Sequence, residues 1–211
     1  DGIIPPEGFQ TIEQLLYADW TDTSYKKLGH FLTGIEETLT RLENEPGKEY
    51  KFKEELVWDA LRSSVLRIIT LGITGFDSPI ANLSLTEAQA SLDGIQEVLL
   101  LTKKNTADEV TFRRLFSIIS DASLYLKNNA DFNSFNRLGF ITDFADPLYR
   151  QINQVRIFSK VGIPEGTNPI NFDMASVFDE GVFNINFFTP SNEYWVTKER
   201  IILGKRLFYD N

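Results

Sequence analysis

"SLTEAQASLDGIQEVLL", Ser84 to Leu100, decides the fold class. Its first four residues, Ser84-Leu-Thr-Glu87, fit a capping box, in which a hydroxyl and a carboxylate three residues on satisfy orphan backbone donors at a helix start. Leu85, Ala88, Leu92, Ile95 and Leu99 then recur at steps of three and four. That period puts them on one face of a helix and leaves the other face polar. A helix of this kind must bury its stripe against others like it.

Others like it lie on both sides. Tyr25, Leu28, Leu32, Ile35, Leu39 and Leu42 make one stripe along a predicted helix over 24–44, which Pro46 and Gly47 end. A helix over about 50–71 carries Leu61, Val65 and Ile68 inward, and "GITGFDSP", Gly72 to Pro79, breaks it. Thr106-Ala-Asp-Glu109 repeats the capping box ahead of Leu115, Ile118, Ala122 and Tyr125. Leu138, Ile141, Ala145, Leu148, Ile152 and Val155 form a last stripe that stays in phase across Pro147. Proline removes a helical hydrogen bond, so the stripe predicts one helix over 134–159, bent near 143–147, with Leu138 and Ile152 both in the core. The expected fold is all-α, an antiparallel helical bundle with short loops over residues 1–162.

After Gly162 the character changes. Residues 163–197 are rich in Pro, Gly and Asn yet carry Phe172, Phe178, Phe183, Phe187, Phe188, Tyr194 and Trp195. A flexible linker would lack those rings. The segment reads as an irregular strap packed on the bundle, with most rings buried. A short amphipathic helix closes the chain at 198–211, with Thr197 as N-cap, Glu199 in the first turn, and Lys205 and Arg206 near its end. Ile201, Leu203, Leu207 and Phe208 on it have nothing after them to pack against. They are expected to be partly exposed and to serve a domain that follows.

Composition narrows the function. The net charge of −9 falls within residues 1–100, and the remainder is balanced. An acidic chain with no basic cluster before the last helix argues against a nucleic-acid partner. The chain has no cysteine, which excludes disulfides, thiolate zinc sites, a cysteine nucleophile and covalent haem attachment within these residues. No apolar run approaches the ~20 residues of a membrane span.

Catalytic signals are weak. His30, the single histidine, sits beside Phe31 and reads as a helix-surface residue. The acid pairs Glu36–Glu37, Glu54–Glu55 and Asp179–Glu180 are sequence neighbours. Neighbours on a helix do not face each other and make poor acid/base sites. "GITGFDSP" lacks the lysine of a phosphate-cradling loop and reads as a helix connection. No catalytic residue is assigned.

Two stretches are more specific. "PPEGFQTIEQLLYAD", Pro5 to Asp19, resembles the motif region of imelysin-like proteins, helical modules of the bacterial cell envelope with the pattern Gly-x-His-x-x-Glu. Gly8 and Glu13 match it, and Gln10 stands where that family has histidine. An amide oxygen is a far weaker transition-metal ligand than an imidazole nitrogen. Gly8, Gln10 and Glu13 are thus metal candidates through the resemblance alone. Their own chemistry points to a structural motif in which Gln10 and Glu13 hydrogen-bond at a helix start.

"LGKRLFYD", Leu203 to Asp210, resembles the opening of the di-haem cytochrome c peroxidase domain, ahead of its first Cys-x-x-Cys-His. Some members of that family carry an imelysin-related region before the haem domains. The chain is similar to that region through "ITLGITGFDSP", "DFNSFNRLGFITDFADPL" and "FNINFFTPSNEYW". The resemblance implies the non-catalytic N-terminal module of a periplasmic or envelope-associated peroxidase. Residues 198–211 would then start a truncated haem domain, with c-type haem in that missing domain and a small electron-donor protein as a further partner. An imelysin-like metal-binding module and a stand-alone interaction module are the alternatives.

Overall fold

The computed structural model describes residues 8–17, 19, 21–44, 53–102, 109–166 and 168–210. They are mostly helical and contain no strand, so the all-α reading holds. The chain forms two compact units, Asp1–Gly162 and Ile163–Asn211.

In the first unit α1 is Phe9–Tyr17, α2 Asp22–Asn44, α3 Glu54–Arg67, α4 Ser84–Thr102, α5 Glu109–Asn128, α6 Arg137–Phe140 and α7 Asp146–Phe158. A π-helical turn, Ile68–Gly72, extends α3, and a second, Ile141–Ala145, joins α6 to α7. Helix α4 packs on α5, α5 on α7, α7 on α3 and α3 on α4, so four helices close around one core. All five stripe residues of α4 are buried, as are Leu61, Val65 and Ile68. Each fully buried aliphatic side chain contributes about 1.5–3 kcal/mol.

Helix starts and phases differ from the sequence reading in three places. Ser84 is buried and its hydroxyl has no hydrogen-bond partner, so no capping box forms there. The second box falls largely outside the described residues. On α5 the core face is Phe112, Leu115, Ile119, Ala122 and Leu126; Ile118 and Tyr125 flank it half-buried. Tyr125 instead joins an aromatic cluster with Phe135, Phe140 and Phe144, at centroid distances of 4.8 to 6.1 Å.

The third difference has a clear cause. Leu138 is 67% exposed rather than buried, and Phe140 takes the core position. Counting back from Ala145 at α-helical spacing gives Ile141 and Leu138. The intervening turn is π-helical, with the Asp146 N–H donating to the Ile141 carbonyl five residues back. One extra residue in a turn rotates the preceding face by roughly a hundred degrees, enough to replace Ile141 with Phe140. The same turn accommodates Pro147, which lies at the start of α7.

Helix α2 departs furthest. Its main packing partner is α1, and Leu28 is its single buried residue among those described. Tyr25, Leu32, Leu39 and Leu42, expected in the bundle, are exposed. The α-helical period was read correctly, but it cannot say which neighbour covers a stripe.

The connection after α3 is held by close approach. Gly75 has φ +82°, and a Cβ there would lie 2.6 Å from Phe132 Cζ. Arg137 lies over that ring at 4.3 Å and donates from Nε to the Ile73 carbonyl at 2.8 Å.

In the second unit the Asn171 N–H donates to Val182 O, and the Asn184 N–H to Pro169 O, both at 2.8 Å. Phe172 and Val182 are buried. The six other rings of the strap are exposed, contrary to the expected burial. Backbone hydrogen bonds of tight turns recur through the strap, from Met174 to Asn171 and from Phe187 to Asn184. The unit ends in α8, Lys198–Tyr209.

Candidate functional site

Three arrangements could carry function. The first is built on the motif residues. Gly8, at φ +104°, accepts the N–H groups of Thr11 and Ile12 on its carbonyl and so opens α1. Gln10 and Glu13 do not bond at that helix start, however. Gln10 Nε2 donates to the Phe76 carbonyl at 2.7 Å. Glu13 Oε1 accepts from Ser78 Oγ at 3.2 Å and from the N–H groups of Ile80 and Ala81 at 3.2 and 2.7 Å. The pair therefore clasps α1 to the α3–α4 connection. All three donors meet Oε1, while Oε2 is buried with no hydrogen-bond partner; among the described residues no three His, Cys, Asp or Glu side chains group as metal ligands. His30 lies exposed on α2, its ring 5.9 Å from that of Phe31.

The second arrangement is a polar network buried between α3 and α7. Arg62 is 1% exposed, and its guanidinium carbon lies 3.9 Å over the Tyr149 ring. Arg62 Nη1 and Arg156 Nε and Nη2 all donate to Asn153 Oδ1, at 3.4, 3.1 and 2.9 Å. Arg156 Nη1 also donates to the carbonyls of Val161 and Gly162, at 2.8 and 3.2 Å. Burial lowers the Arg62 pKa from its ordinary value, raises that of the Tyr149 phenol, and raises that of Asp59 by more than the nearby Arg62 lowers it. Polar groups bonded between two buried helix faces favour one register, although the Tyr149 hydroxyl and Asp59 Oδ1 are buried here with no hydrogen-bond partner. The network was not anticipated, although the sequence held a signal. Arg62 occupies a core phase, spaced with Trp58, Leu61 and Val65 along α3.

The third is a groove of about 1080 Å³ between α3 and α4. Its walls include Leu56, Ala60 and Ile68 on one side and Ala88, Ile95 and Val98 on the other. Ala88 lies beside Gly72, where an added Cβ would stand 3.6 Å from the alanine Cβ. The pair of exposed Arg67 and half-buried Asp77, at 3.2 Å, marks this end. An apolar trough with a charged end suits a helix better than a small polar substrate.

No known family model, characterised protein or solved structure matches the chain. Among the described residues no helix is long and apolar enough to cross a membrane.

Proposed function

We propose that this chain is the non-catalytic helical module of an envelope-located, di-haem cytochrome c peroxidase-like protein, with an imelysin-like antiparallel bundle and with α8 as the lead into a haem domain. One observation carries the reading. Helix α8 is capped at its start by Thr197 yet buries no residue: Ile201, Leu203, Leu207 and Phe208 are 58, 55, 64 and 81% exposed. These residues lie in or beside the stretch that resembles the peroxidase-domain opening. Thr197 Oγ1 accepts the Arg200 N–H, and the Arg200 guanidinium donates to the carbonyls of Trp195 and Glu193. The helix is thus held at its root while its apolar side chains await a partner.

In the proposed whole protein the haems supply the electrons that reduce hydrogen peroxide to water, and a small donor protein replenishes them. The helical module contributes binding surface. The test is to read the coding sequence that follows Asn211 and to express the longer product. The expected product carries Cys-x-x-Cys-His, shows a c-type haem spectrum and consumes peroxide. A product with neither the motif nor haem would overturn the reading.

A further inference from the structure

We propose that the α3–α4 groove is the seat of the chain's own α2, which closes over it as a hinged helix. Two unsatisfied surfaces motivate this. Leu32, Leu39 and Leu42 of α2 are 52, 56 and 59% exposed, and the groove is open along its apolar length. Both lie in the same compact unit.

Connectivity selects α2 as the occupant. Its N-terminus follows α1, which Gln10 and Glu13 fasten to residues 76–81, next to the Gly72 end of the groove. Its C-terminus is tied by residues 45–53 to Glu54, which lines the opposite end. Each end of α2 is therefore tethered to a different end of the groove. The 23 residues of α2 span about 34 Å, enough to cover α3 and its π turn.

The register agrees. With α2 laid from the Gly72 end towards Glu54, Ile35 meets Ser64 and Ile95, Leu39 meets Ala60 and Val98, and Leu42 meets Leu56 and Leu101. The α2 stripe advances by three and four residues, as do these lining positions. Small residues on both walls leave holes into which leucine knobs can insert. Charge agrees too. Lys26 and Lys27 arrive at Asp77 and Glu87. Closure covers the exposed leucines and makes the groove available to any other helix only when α2 swings away.

The chain has no cysteine, so introduced thiols report cleanly. The variant Leu39→Cys/Val98→Cys is treated with a short bis-maleimide after single-site labelling has confirmed that both thiols react. A cross-link within one chain is expected, with unchanged yield on dilution, because a tether of this length holds the partners at an effective concentration of about millimolar. Adding Gly94→Trp, at a position where a Cβ meets nothing within 4 Å, fills the groove and is expected to cut the yield several-fold. In the unsubstituted protein, amide exchange across 28–42 is expected to be slow, and to quicken with Gly94→Trp alone. Cross-links only between chains, falling with dilution, would assign the groove to a second copy and overturn the proposal. So would reactive thiols that fail to link together with fast exchange across 28–42.

Discussion

The guanidinium carbon of Arg62 lies 3.9 Å over the Tyr149 ring, with both residues fully buried between α3 and α7. The cation sits over the ring face and still reaches Asn153 Oδ1. A lysine ammonium has neither the plane nor the fork. Arg62→Lys is expected to destabilise the fold by about 1–3 kcal/mol in urea titrations. Tyr149→Phe keeps the ring face and should lose less than Tyr149→Leu, which removes it.

Asp59 sets a pH dependence. Its folded pKa is raised because burial outweighs the attraction of Arg62. The folded state therefore holds the proton more tightly than the unfolded chain. That contribution is fully present below the unfolded value of about 3.9 and is lost as pH rises through the higher folded value. Asp59→Asn should be more stable than the native protein at neutral pH, with the advantage shrinking as pH falls. Midpoints of urea unfolding at several pH values from acid to neutral check this, and an advantage that grew towards acid would contradict it.

Glu13 holds three donors of the α3–α4 connection on a single oxygen. Glu13→Ala leaves them without that acceptor and should cost about 1.5–3 kcal/mol, whereas Glu13→Gln keeps an oxygen in place and should cost less. Elemental analysis of metal-loaded, desalted protein should find well under one equivalent of transition metal. A retained full equivalent that Glu13→Ala abolished would show the clasp to be a metal site.

The π turn at Ile141–Ala145 makes opposite predictions for two residues two apart. Phe140→Ala should cost about 3–5 kcal/mol, and Leu138→Ala less than about 0.5 kcal/mol. Ile152, at 0% exposure, should cost about 2–5 kcal/mol on truncation to alanine. Thermal or chemical unfolding of the three variants decides the matter.

Helix α8 and helix α4 should exchange amide hydrogens at very different rates. No residue of α8 is buried, whereas α4 buries six. Local opening is easiest where few apolar contacts resist it. Faster exchange across 198–210 than across 84–101 is expected in dilute protein. Equal protection would mean that α8 belongs to a core of its own chain.

What the sequence by itself determined was periodicity. Three-and-four spacing depends only on local helical geometry, so α4, α3 and α7 carry the core residues expected of them: Leu92, Val65 and Ile152 are all buried. The compact units divide after Gly162, with residues 163–211 in one unit rather than a strap and a separate final segment. Ligand chemistry reads Gln10 and Glu13 as hydrogen-bonding residues of a helix start, and the structure takes both to the α3–α4 connection instead. Tertiary structure decided the rest. An extra residue in a π turn shifts a face without altering composition, so Phe140 displaced Leu138 unannounced. The acceptors of Gln10 and the donors to Glu13 lie more than sixty residues away, beyond any local pattern. Arg62 looked like one more charge until α7 brought Tyr149 and Asn153 against it. An apolar stripe states that a partner is required. Which partner covers it, as α2 illustrates, depends on contacts between segments far apart in the chain.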